Sequence, residues 1–179
     1  MANAEIIYLT RDCYVAMVPS GAKMKLHAGM EVRITQELGN SFTLEIFGNL
    51  GRLDGKDADA IGKKVANPLE LLPSGASIND QVWAMLKTVF DPEIPVNIVD
   101  LGLVYDCQIK EVENEGYEII LIMTLTAPGC GMGPVIADDA KQKLLHIPGV
   151  KDAVIDLVFD PPWSREKMSD TAKLELGLF

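Results

Sequence analysis

The sequence predicts an α+β protein in which a small all-β domain precedes a small α/β domain ordered helix-strand-strand-helix-strand-helix. Three observations carry this expectation. Between Glu5 and Leu53 short apolar runs alternate with turn residues at close spacing, the pattern of a small barrel or two-layer β unit. From residue 77 onward, stretches of helical spacing alternate with stretches of period two. Pro68, Pro73, Ser74 and Gly75 form a linker between them, which places the boundary near residue 75 and divides 1–75 from 76–179.

In the first domain, strands are expected at Ile6 to Leu9, Cys13 to Val18, Met24 to Leu26, Val32 to Ile34 and Phe42 to Ile46. Turns are expected at Pro19-Ser20-Gly21, His27-Ala28-Gly29, Leu38-Gly39-Asn40 and Gly48-Asn49. Arg11-Asp12-Cys13 allows an ion pair beside a reactive thiol, but Cys13 opens an apolar strand and reads as core. Asp57-Ala58-Asp59-Ala60 lacks the further oxygen ligands of a calcium loop and reads as a solvated turn.

In the second domain, Ser77 or Asn79 can cap a helix with Val82, Leu86, Val89 and Phe90 on one stripe, ended by Pro92. Leu103, Tyr105, Cys107 and Ile109 alternate with polar neighbours as a half-buried strand, with Cys107 on its apolar face. Asn114-Glu115-Gly116 turns the chain into a second strand, Glu118 to Thr126, apolar on both faces and therefore central. A helix from near Pro134 aligns Ile136, Ala140, Leu144 and Ile147, with Asp138 and Asp139 early and Lys141, Lys143 and His146 late, as the helix dipole favours. Val150 to Phe159 should run parallel to the second strand, because a helix connects the two. Ser164 can then cap a last helix containing Met168, Ala172 and Leu176.

Composition excludes several functions. The net charge of -10 is uneven: residues 1–75 carry 8 Lys/Arg and 9 Asp/Glu, and residues 76–179 carry 8 and 17. With no basic cluster to displace counterions from phosphates, nucleic acid is not an expected partner. No apolar run approaches the roughly 18 residues of a spanning helix, and the N-terminus lacks signal-peptide character, so a cytoplasmic protein without a membrane partner is expected. Three widely spaced cysteines, Cys13, Cys107 and Cys130, form neither a disulfide framework nor a closed zinc site.

Chemistry concentrates at Thr124-Leu125-Thr126-Ala127-Pro128-Gly129-Cys130-Gly131-Met132-Gly133-Pro134, a strand end, a tight loop and a helix start. Glycines allow close approach to a bound group, and the helix N-terminus adds partial positive charge, so a thiol at Cys130 is expected to ionise more readily than a free one. Thr126 could bond the loop backbone or the sulfur, or simply bond locally at a strand end. Asp91, Glu93 and Asp100 lie on a loop stiffened by Pro92 and Pro95 and either present acids or terminate the helix.

Asp91-Pro92-Glu93, the run Ile98 to Tyr105, Thr124-Leu125-Thr126 followed by Cys130, and Asp160-Pro161-Pro162-Trp163 together resemble the SufT-like family of iron-sulfur cluster assembly factors. The resemblance covers about residues 77–179. The preceding unit, with Arg11-Asp12-Cys13 and Asp57 to Gly62, is similar to the extra domain of longer bacterial members. The resemblance implies an accessory factor in cytosolic iron-sulfur protein maturation, not an enzyme. Relatives are implied to serve the eukaryotic cytosolic pathway and bacterial phenylacetate oxygenase assembly. Cys130 is then the reactive cysteine and metal contact, with Glu93, Asp100 and Thr126 lining the same cleft. The implied cofactor is an iron-sulfur cluster or iron, transiently held, and the implied partners are assembly proteins and client apoproteins. One cysteine cannot complete a cluster that takes four ligands, so sharing is expected, across a homodimer or with a client. Two other readings stay open. A metal-free adaptor would dock clients through the acidic surface and Trp163. Thiol catalysis would need a partner base, and the chain offers only His27 and His146.

Overall fold

Alternation of buried and exposed positions pairs the first six strands into one antiparallel sheet. The computed structural model describes residues 4–91 and 93–178, so Pro92, expected to end the first helix, lies outside the described residues. The strands are β1 (Glu5–Tyr8), β2 (Cys13–Val18), β3 (Lys23–Leu26), β4 (Glu31–Leu38), β5 (Ser41–Ile46) and β6 (Asn49–Asp54). Their order is β1-β4-β5-β6-β2-β3, which leaves β1 and β3 as edges. β6 is absent from the expected strands because Gly51 and Arg52 interrupt its apolar pattern. Glycine is required there: a Cβ at Gly51 would lie 2.9 Å from Val15 Cγ2, across the β2–β6 pairing.

Asp57-Ala58-Asp59-Ala60 is not a solvated turn. It lies in a 3-10 helix, Gly55–Ile61, that buries Ala58, Ala60 and Ile61 in the sheet's core. Its two aspartates hold Arg11, whose Nη2 lies 2.9 Å from Asp57 Oδ1 and 2.6 Å from Asp59 Oδ1. Arg11 therefore serves the helix and not Cys13, which is buried in the same core.

The chain divides into two compact units, Met1–Asn67 and Pro68–Phe179. The division falls before the linker residues at 73–75 because the short turn Pro68–Leu71 packs against the first helix of the second unit. That helix is α1 (Ile78–Leu86), capped by Ser77, whose Oγ accepts from Asp80 N–H at 3.1 Å. It stops before Val89 and Phe90, since Phe90 turns to bridge Asn97.

The second sheet holds β7 (Val104–Val112), β8 (Gly116–Met123) and β9 (Val150–Leu157) in sequence order. β7 is antiparallel to β8 and β9 is parallel to it, so the central strand and the parallel return follow the apolar pattern. β8 ends three residues before Thr126, because Thr124 N–H turns to Leu103 O at 2.8 Å. α2 (Gly133–Leu145) joins β8 to β9, packing on β9 and on α1. Ile119, Leu121, Met123 and Ala153 are fully buried with Ile136, Ala140 and Leu144 of α2. Lys143 does more than complement a dipole: it is buried, with its Nζ 3.2 Å from Asp139 and 2.7 Å from Thr88 O. The last helix, α3 (Asp170–Glu175), is capped by Ser169 and not by Ser164, which precedes only the 3-10 turn Arg165–Lys167. Among the described residues no helix is long and apolar enough to cross a membrane.

Candidate functional site

The strand directions bring the conspicuous segments together. Val104 opens β7, Met123 ends β8 and Leu157 ends β9, and the three are neighbours across the sheet. The segments entering β7, leaving β8 and leaving β9 therefore emerge at one end of it. They are tied there by Thr124 N–H to Leu103 O and Val158 N–H to Met123 O, both 2.8 Å. Trp163 Nε1 donates to Leu101 O at 2.7 Å, and the Tyr105 hydroxyl donates to Pro161 O at 2.7 Å. Asp160-Pro161-Pro162-Trp163 thus folds back on the loop before β7.

Asp100 is the knot of that loop. Its Oδ2 accepts from Asn97 Nδ2 at 2.6 Å and its Oδ1 from Ser169 Oγ at 2.9 Å. Ser169 N–H also donates to Asp100 O at 2.8 Å, so the cap residue of α3 grips Asp100 twice. Gly102, at φ +74°, lets the Lys167 carbonyl sit where any Cβ would clash. Both carboxylate oxygens of Asp100 are engaged, which makes it a positioning group.

Cys130 sits half-buried between β8 and α2. Gly129, at φ +78°, turns the chain into it, and Gly133 N–H donates to Cys130 O at 3.1 Å. Gly133 packs closely under Leu125, whose Cδ1 would lie 2.6 Å from a Cβ there and would have to move to admit it. Thr126 is half-buried on the same loop, and its hydroxyl makes no hydrogen bond among the described residues. Beneath, Thr124 is buried with an unpartnered hydroxyl.

The other two cysteines differ in kind. Burial, and after it the Asp106 charge, pushes the Cys107 thiol up to about 11. Burial likewise raises the Cys13 thiol. Both therefore resist ionisation.

Glu93 is exposed, and its N–H donates to Asp91 Oδ1 at 2.9 Å. Asp91 itself is buried, and desolvation raises its pKa. No hydrogen bond or ion pair joins Cys130 to Glu93, Asp100 or Thr126 among the described residues. The open groove of about 650 Å³ lined by Leu72, Ser77, Trp83 and Lys87 contains none of the four. His146 is far from the loop, at the other end of α2, with Nδ1 2.6 Å from Gln142 O. Asn97, Ser169 and Thr124 are positioning residues beyond those expected from the sequence. Asn97 three before Asp100, and Ser169 before a helical run, are the signals that point to the first two.

Among the described residues no three His, Cys, Asp or Glu side chains gather where they could hold a metal ion. The donor set around Cys130 is one thiol, which suits iron but leaves most positions of a cluster to other ligands.

The sequence profile of a family described as iron-sulfur cluster assembly protein matches residues 79–157, a span holding Glu93, Asp100, Thr126 and Cys130. A Porphyromonas gingivalis protein named Fe-S protein maturation auxiliary factor is 45% identical over 98 residues, 55% of this chain and 90% of that one. The chain belongs to the iron-sulfur cluster assembly protein family. Two further members are similar. The Fe-S protein maturation auxiliary factor YitW of Bacillus subtilis is 43% identical, over 57% of this chain and 96% of its own. The Fe-S protein maturation auxiliary factor SufT of Staphylococcus aureus is 44% identical, over 50% and 98%. The family match lies wholly within the second unit, and Trp163 and Ser169, which brace the loop before β7, lie beyond it.

Proposed function

We propose that this chain is an auxiliary factor in iron-sulfur protein maturation, with Cys130 the contact for iron or cluster cargo. The observation that carries the reading is the contrast among three thiols. Cys130 alone lies on a surface loop at a helix start, within the family match, while Cys13 and Cys107 are held by burial. The similar relatives are named for the same role. Asp100 fixes the neighbouring loop, Thr126 leaves a hydroxyl free on the loop of the thiol, and exposed Glu93 offers a carboxylate to a partner or to the cargo.

A single thiolate makes any hold on cargo shared and transient, either between two copies of the chain or with the cysteines of a client apoprotein. In this reading the protein holds cargo and hands it on without turning over a substrate, which is an auxiliary role and not an enzymatic one. A metal-free adaptor is the second reading, favoured by the excess of carboxylates in the second unit. Anaerobic reconstitution with iron and sulfide separates the two. Wild type gains visible absorption and Cys130→Ser does not, while both keep the same far-ultraviolet dichroism. Equal absorption in the two proteins removes Cys130 as the contact, and none in either favours the adaptor.

A further inference from the structure

The second sheet has two faces, and the helices cover one. The other is read directly from the register: Asp106, Ile122 and Asp156 form one row across the strands, Gln108, Ile120 and Val154 the next, and Lys110, Glu118 and Asp152 a third. Ile120 and Ile122 are half-exposed, and Val154 is 43% exposed. Four carboxylates and one ammonium surround this apolar centre, and none of the five is in an ion pair among the described residues.

The edges of the sheet disfavour strand addition. The Asp106 carboxylate accepts from Cys107 N–H at 2.9 Å on β7, and that of Asp152 accepts from Ala153 N–H at 2.8 Å on β9. Lys110, Glu111 and Lys151 add charge along both edge strands. The face is therefore the better surface for association. A second copy is a poor occupant, because it would set four carboxylates against four with one lysine on each side, in chains of net charge -10.

Resting on the maturation-factor reading, we infer that this face docks a partner protein presenting an apolar patch ringed by lysine and arginine. The isoleucine and valine centre supplies the buried area, and the acidic rim supplies on-rate and selection. The cargo contact at Cys130 and the docking face are then separate parts of one unit.

The test uses the full chain and a synthetic amphipathic peptide of leucines flanked by lysines. Two control peptides carry glutamate for lysine or serine for leucine. The expected result is amide shifts at Ile120, Ile122 and Val154 with the first peptide alone. Asp156→Lys or Val154→Ser should weaken that binding about tenfold, as loss of one favourable contact does. Binding by the serine control at equal strength, or shifts centred outside β7–β9, overturns the inference. So does a free chain that sizes as a dimer through this face, or one whose first unit already shields those amides. Cys130→Ser keeps peptide binding whatever it does to iron uptake. Loss of iron uptake in that variant with peptide binding intact, and the reverse outcome in Asp156→Lys, tell the two readings apart.

Discussion

The two units use charge in opposite ways. Met1–Asn67 carries eight basic and eight acidic residues, and Pro68–Phe179 carries eight and eighteen. In the first unit the charges are paired across strands and turns: Arg11 with Asp57 and Asp59, Lys25 with Asp12, Lys63 with Glu5. In the second, the Asp139–Lys143 pair is buried inside, while the outer carboxylates of the sheet stand without ion-pair partners among the described residues or bond backbone N–H groups. Paired surface charges satisfy one another at little gain in stability, and unpaired ones are free to meet something else. The polar effort inside the second unit goes into bracing the loops at the Cys130 end of the sheet, whereas beside Cys13 the ion pairs of Arg11 and Asp12 hold a 3-10 helix and a turn over a buried thiol.

The largest effect expected from this contrast is in thiol reactivity. With its pKa near 11, Cys107 has about one thiolate in a thousand at pH 8, and its alkylation should rise about tenfold per pH unit until that value. Cys13, 3% exposed, should react only on unfolding. Cys130 should be labelled first, as peptide mass mapping after brief treatment would show. Early labelling of Cys107 would break the contrast.

Stability should respond next. Asp139→Ala leaves the Lys143 ammonium buried beside Thr88 O without its carboxylate, and denaturant unfolding should register a loss of about 3 kcal/mol. Asp59→Asn, at an exposed pair, should leave the unfolding midpoint nearly unchanged. A larger loss from Asp59→Asn would reverse the account of which unit stakes stability on an ion pair.

The smallest expected effect is in acid. The Ala28 N–H, and after it Lys25, lower the Asp12 pKa from 3.8 to about 2. The Asp12 contribution is present above pH 3.8 and is lost as pH falls through 2. Asp12→Asn should therefore flatten the fall in stability across that window while changing little elsewhere.

Much of this is legible in the sequence because period and punctuation carry it. The alternation of β7 and the stripe of Ile136, Ala140 and Leu144 identify element types, and the helix between β8 and β9 implies the parallel return. What escapes depends on contacts distant in sequence. β6 is hidden because Gly51 serves Val15 on another strand. Ser169 is hidden as a cap because its other partner, Asp100, lies 69 residues away. Lys143 has the position of a dipole partner, and only the fold brings it Thr88 O from another segment. The glycine-rich loop that carries Cys130 is legible as a strand end, a turn and a helix start, whereas the engagement of both Asp100 oxygens requires the fold.

In the proposed role Cys130 is the cargo contact, and a single thiolate per chain forces sharing. Anaerobic sizing chromatography with iron analysis, on wild type, Cys107→Ser and Cys130→Ser after loading with iron and sulfide, tests it most directly. Wild type and Cys107→Ser should carry iron in a dimer-sized peak, and Cys130→Ser should elute as an iron-free monomer. Iron retained by Cys130→Ser at the wild-type level, or carried by a wild-type monomer, would contradict the claim.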